Sequence, residues 1–68
     1  MTIGSKVKQT LAELKGAHGT LQMYSAGTRD GETKAVFDKA VTEVGEIIGD
    51  LEDRLRTIEY QEPQYKGK

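Results

Sequence analysis

His18 is the only histidine of the chain, and its charge can change more readily near neutral pH than that of other side chains. A di-iron site in a helical bundle uses a Glu-x-x-His pair, but Lys15 stands three residues before His18. We therefore expect no metal here and interpret His18 as a buried or half-buried residue that hydrogen-bonds across a helical bundle. The alternative is a pair of His18 side chains stacked at a dimer axis, which protonation would loosen.

Acidic residues of the second half could supply paired carboxylates for acid–base catalysis. Glu43, Glu46, Asp50 and Asp53 follow one another at three- and four-residue spacing, which is typical of a solvated polar face. Cysteine is absent, and the serines and threonines have no histidine–acid partner pattern. We therefore predict that the protein is not an enzyme and binds no cofactor.

Charge and hydropathy limit the classes of partner. The net charge is −1, and the three lysines of the first half, Lys6, Lys8 and Lys15, are too few to bind nucleic acid or a membrane surface through charge alone. No apolar run approaches the roughly 20 residues of a membrane span, and the N-terminus lacks the apolar core of a signal peptide. We expect a cytoplasmic protein without nucleic-acid binding or membrane insertion.

Apolar residues in both halves recur at alternating steps of four and three residues, the spacing of a helix packed along another helix. This pattern predicts two helices, over about residues 3–25 and 31–61. The residues predicted to form the interface of the oligomer are Val7, Leu11, Leu14, His18 and Leu21 of the first helix and Phe37, Val41, Val44, Ile48, Leu51, Leu55 and Ile58 of the second.

A glycine-flanked polar stretch separates the two helices, so we predict a short loop over about residues 26–30. Asp30 or Thr28 is expected to cap the second helix, and Pro63 to end it. The chain is then a single helical-hairpin domain, 1–68, with a C-terminal tail at 62–68. Gly45 and Gly49 fall inside the second helix, where they lie either on an outer face or against a neighbouring backbone.

A lone hairpin cannot cover apolar stripes this wide. The apolar side of the second helix is wider than its interface residues alone, because it also includes Val36, Ala40 and Ile47. The chain has 68 residues, fewer than the roughly 70–80 at which one hydrophobic core usually gives enough stability. The first half carries a charge of +2 over residues 2–26 and the second −6 over 30–62, which favours packing of the halves. We predict an all-α fold, an antiparallel two-helix hairpin that self-associates as a homodimer or higher oligomer into a four-helix or larger bundle.

The tail contains a proline bracketed by two tyrosines, although a disordered end is usually poor in aromatic residues. We predict that Pro63, Gln64 and Tyr65 take part in docking. Tyr65 either folds back on Ile58 at the bundle end or is presented to a partner in an extended peptide.

Two strings, Val-Lys-Gln-Thr-Leu at 7–11 and Glu-Pro-Gln-Tyr-Lys at 62–66, give the chain a resemblance to a small bacterial family known as domain of unknown function 1657. The resemblance implies an endospore-forming source, a sporulation or spore setting, including the forespore, and a spore membrane protein as neighbour. It implies no activity and no catalytic residue.

These observations predict a non-enzymatic helical module for oligomerisation or protein interaction, with a second copy of itself as partner. One alternative is a ligand- or metal-carrying bundle. Another is a small regulatory hairpin of sporulation signalling, although the Ser-Gln-Glu-Leu-Asp signature of the phosphatase hairpins is absent.

Overall fold

The computed structural model describes residues 3–61 and consists of two α-helices packed against each other as an antiparallel hairpin. Helix α1 spans Ile3–Gly27 and helix α2 spans Gly31–Gln61, so only residues 28–30 connect them. The predicted all-helical class and the hairpin are therefore confirmed. The docking residues Pro63, Gln64 and Tyr65 lie outside the described residues.

Helix α1 continues to Gly27, two residues beyond the end that the glycine-flanked stretch predicts. Thr28 accounts for this extension, because its Oγ1 hydroxyl donates to the Tyr24 carbonyl at 2.5 Å and its backbone N–H donates to the Ser25 carbonyl at 3.3 Å. These bonds occupy carbonyls that the end of a helix would otherwise leave without partners. Thr28 thus ends α1 and does not cap α2.

Asp30 caps α2. Its Oδ2 atom accepts hydrogen bonds from the Thr33 backbone N–H at 2.9 Å and from the Thr33 hydroxyl at 2.6 Å. Its carbonyl accepts the first hydrogen bond of the helix from the Lys34 N–H at 2.9 Å. The Thr33 hydroxyl, followed by the Thr33 backbone N–H, lowers the pKa of Asp30 below its ordinary value of 3.8 because both bonds favour the carboxylate.

Since folding lowers the pKa of Asp30, its stabilising effect is present above pH 3.8 and is lost as the pH falls from there through the folded-state value. Asparagine is also a good N-cap but does not titrate. We expect the melting-temperature advantage of the natural chain over Asp30→Asn at about pH 7 to shrink as the pH falls below about 4. An advantage of constant size in melts followed by circular dichroism would contradict this role.

The helices meet along the apolar residues that recur at steps of four and three, and we call this line of contact the seam. All twelve predicted interface residues are buried or half-buried within the single hairpin, and Leu11 and Ile48, at 6% and 9% exposure, form its buried hydrophobic centre. His18 crosses the seam, where its Nε2–H donates to the Val41 carbonyl at 2.9 Å. The other seam residues keep part of their surface in solvent.

Gly45 lies directly opposite His18. A Cβ atom at Gly45 would be 3.3 Å from His18 Nε2, whereas a Cβ atom at Gly49 would meet nothing within 4 Å. The close approach at Gly45 is therefore made by a side chain of the same chain, not by a neighbouring backbone. Gly49 faces open space on an outer side of α2.

Replacing Gly49 by alanine is expected to raise the melting temperature by about 4–8 °C, because alanine is favoured over glycine in a helix by about 1 kcal/mol. Gly45→Ala should gain less than this, since the new methyl group lies 3.3 Å from His18 Nε2 and the ring, which is bonded to Val41, must shift by a few tenths of an ångström. Paired thermal melts test the difference. Equal gains for both variants would show that the His18 contact is not tight.

Candidate interaction surface

One broad side of the hairpin is charged. Lys8 Nζ lies 3.1 Å from Glu59 Oε2, and Lys15 Nζ lies 3.0 Å from Glu52 Oε2, so two ion pairs join α1 to α2. Both pairs join a lysine of the basic first half to a glutamate of the acidic second half, in agreement with the attraction expected between the halves. All four side chains are partly exposed, so the pairs contribute register more than stability. We call this side the charged face; it comprises Lys8, Ala12, Lys15, Glu52, Arg56 and Glu59.

The opposite broad side is apolar. An α-helix turns by about 100° per residue, so the residues beside the seam on this side form one stripe along each helix. A groove of about 240 Å³ shows that the two stripes share one side of the hairpin. It is lined by Ile3, Lys6, Val7 and Thr10 of α1 and by Leu51 of α2. We call it the apolar face. Its members are Ile3, Val7, Thr10, Leu14, Leu21 and Tyr24 of α1 and Val36, Ala40, Val44, Ile47, Leu51 and Ile58 of α2.

Several members of the apolar face are exposed. Val36 is 67% exposed, Ile3 is 53% exposed and Ile47 is 49% exposed. Val36, Ala40 and Ile47 are the residues whose pattern predicts a stripe wider than one neighbour can cover. Exposed large apolar side chains grouped on one side of a small protein point to an interaction site.

A polar cluster closes the hairpin next to the turn. Ser25 is only 6% exposed; its hydroxyl donates to the Asp38 carboxylate and accepts from Lys34 Nζ at 3.1 Å. Lys34 Nζ also donates to the Ser25 carbonyl at 3.3 Å and lies 3.8 Å from Asp38 Oδ2.

Serine–lysine pairs can act in nucleophilic catalysis when the amine accepts the serine proton. Here the amine of Lys34 donates to Ser25, and the serine proton is held by Asp38, so the bonds run in the opposite sense. The cluster ties the last turn of α1 to the first turns of α2. No local pattern marks Ser25 for this role, because its partner Asp38 lies 13 residues away.

His18 occupies the seam as a hydrogen-bonded side chain. The stacked His18 pair is not supported, since Nε2 already donates to Val41 within its own chain. Among residues 3–61, no three histidine or acidic side chains come together in a group that could hold a metal ion. In the same part of the chain, neither helix has a stretch long and apolar enough to cross a membrane.

Aromatic and small residues line a second groove, at the turn end of the hairpin. Its volume is about 380 Å³, and the Tyr24 and Phe37 rings within it are 5.7 Å apart at 51°. Met23 is 73% exposed and Tyr24 is 55% exposed. We call this the turn groove; its lining residues are Met23, Tyr24, Gly27, Thr28 and Phe37.

Sequence reasoning missed two residues of the turn groove. Tyr24 follows Leu21 by three residues, so helical spacing could have added it to the apolar stripe. Met23 carries no such signal, because it lies outside the heptad pattern.

Comparison with known proteins identifies the family. A family model described as "Protein of unknown function (DUF1657)" matches residues 7–55, which include most of the seam of both helices. No curated protein and no solved structure matches the chain. The resemblance expected from the strings at 7–11 and 62–66 is thereby confirmed for the helical part of the chain.

Proposed function

Because the chain belongs to the DUF1657 family of proteins of unknown function and folds as a hairpin with one apolar and one charged face, we propose that it is a non-enzymatic helical module that self-associates through the apolar face. Two hairpins stacked on these faces make a four-helix bundle. In the bundle, the second hairpin covers the seam residues and the flanking apolar residues that a single hairpin leaves partly exposed.

The exposed side chains of the apolar face carry this proposal. Val36, Ile3 and Ile47 keep about half or more of their surface in solvent although all three are large and apolar. The Cα atoms extend over 48 × 16 × 11 Å, so a broad side of the hairpin measures about 770 Å². A standard protein interface buries about 800 Å² on each partner, which a side of this size can supply.

The two faces also favour a closed dimer over a larger assembly. Only one broad side of the described hairpin is apolar, while the other carries the Lys8–Glu59 and Lys15–Glu52 ion pairs. A second layer stacked on the apolar face leaves charged faces on both outer surfaces, which favours solubility and ends growth. The proposed assembly is therefore two chains.

The cellular setting is proposed from the resemblance to the family alone. We propose a cytoplasmic or forespore location and a spore membrane protein as a further partner of the assembled module. Crosslinking in sporulating cells, followed by identification of the attached protein, tests this setting; recovery of the chain linked only to itself would contradict it. No observation on the described residues favours the ligand- or metal-carrying bundle or the regulatory hairpin.

Thermal melts at different protein concentrations test the self-association. If folding and association are linked, a rise in concentration of about 100-fold stabilises the folded dimer by about 2.7 kcal/mol. For two chains of this size the melting temperature should rise on the order of 10 °C. A melting temperature that stays the same from about 2 µM to about 200 µM, followed by circular dichroism, would contradict the proposal.

A further inference from the structure

The turn groove is a second surface of the hairpin at which large side chains are exposed. Met23 and Tyr24 stand more than half exposed around it, and the Phe37 ring forms its inner wall. Tyr24 also belongs to the apolar face, so the turn groove borders the surface on which self-association is proposed. Concave sites with exposed aromatic rings commonly bind an extended peptide segment.

We propose that the turn groove binds the C-terminal segment 62–68 of a second copy of the chain, with Tyr65 of that copy against the rings of Tyr24 and Phe37. This inference rests on the proposed self-association and specifies its geometry. Each copy contributes one segment and one groove, so the two contacts are reciprocal, as two-fold symmetry requires.

Chain length shows why the segment comes from a second copy. Phe37 and Gln61 are 24 residues apart in one helix, which is about 36 Å at 1.5 Å per residue. Tyr65 follows Gln61 by four residues, which span at most about 14 Å. The Tyr65 ring therefore cannot reach the groove of its own chain, because more than about 20 Å remains.

An antiparallel stacking of two hairpins removes this gap. When the apolar faces meet with the hairpins reversed, the Gln61 end of one copy lies over the turn of the other. The segment 62–68 then begins beside the turn groove, and four residues suffice to bring Tyr65 to it. The same stacking places Ile47, near the middle of α2, close to its own counterpart.

The composition of the segment suits the groove. Pro63 restricts the preceding residue to extended conformations, which lowers the cost of ordering a bound peptide. A tyrosine ring gains from tilted packing on other aromatic rings.

Disulfide trapping in the full chain tests the contact, since the natural sequence has no cysteine. Met23→Cys and Tyr65→Cys variants, one carrying a mass tag, are mixed and mildly oxidised. We expect the mixed disulfide dimer to exceed both same-variant dimers. The matched control replaces Met23→Cys by Glu13→Cys, an exposed position on the outer side of α1, which should give only background crosslinking.

A second measurement needs no crosslink. Tyr65→Ala should raise the dissociation constant of the dimer about tenfold, the effect of losing roughly 1.4 kcal/mol of contact. Tyr60→Ala removes a ring that is 89% exposed and should leave the constant unchanged. Sedimentation equilibrium gives both values.

The outcomes separate the two proposals. Two results together would overturn the groove contact and leave self-association intact. The first is a dimer that Tyr65→Ala does not weaken. The second is a Tyr65→Cys variant that crosslinks no better to Met23→Cys than to Glu13→Cys. A natural chain that stays monomeric at all concentrations would overturn both proposals.

Discussion

Replacing Ile47 by glutamate is expected to abolish self-association of the hairpin. Ile47 lies near the middle of α2 on the apolar face and is 49% exposed in the single chain. Burial of such a side chain contributes about 1.5–3 kcal/mol, and two-fold symmetry makes the loss occur twice. The dissociation constant should therefore rise at least about 100-fold, since about 1.4 kcal/mol corresponds to a factor of ten. Sedimentation equilibrium measures it.

The matched control introduces the same carboxylate on the charged face. Ala12→Glu places it between Lys8 and Lys15, at helical spacings of four and three residues that favour opposite charges. We expect this variant to associate like the natural chain. If both glutamate variants weakened association equally, the apolar face would not be the contact surface.

Replacing Leu11 by alanine is expected to produce the largest loss of hairpin stability. Leu11 is 6% exposed and lies with Ile48 at the buried centre of the seam. Truncation of a buried leucine costs about 2–5 kcal/mol, a large part of the stability of a small domain. The melting temperature should fall by at least about 10 °C, since each kcal/mol shifts it by about 4–8 °C at this size.

Tyr60→Ala provides the comparison for this variant, because it removes a larger side chain that is 89% exposed. Its melting temperature should stay within a few degrees of the natural value. A Leu11→Ala protein that melted together with Tyr60→Ala would show that the seam does not hold the hairpin together. Circular dichroism at one fixed protein concentration keeps the effect of association equal in both samples.

The sequence contains most of what defines the hairpin itself. Alternating steps of four and three residues identify both helices because helical periodicity brings those residues to one side. The Asp30 cap is also predictable, since a short polar side chain before a helix is a local signal. The same local signals end α1 two residues too early, because Ser25, Ala26 and Gly27 resemble a turn while the bonds from Thr28 keep them helical.

Contacts between distant residues were not predictable in the same way. Ser25 meets Asp38, and His18 meets Gly45, only because the pairing of the helices sets their register. That register depends on the Lys8–Glu59 and Lys15–Glu52 pairs and on side-chain packing along the whole seam. Spacing within one helix contains no information on these pairs. The division into an apolar and a charged face likewise emerges only after the hairpin is assembled.

Sedimentation equilibrium of the natural chain at micromolar concentration tests whether a second copy covers the apolar face. We expect a single species with twice the 7.5 kDa mass of one chain. A species of 7.5 kDa that remains folded and melts cooperatively would contradict it.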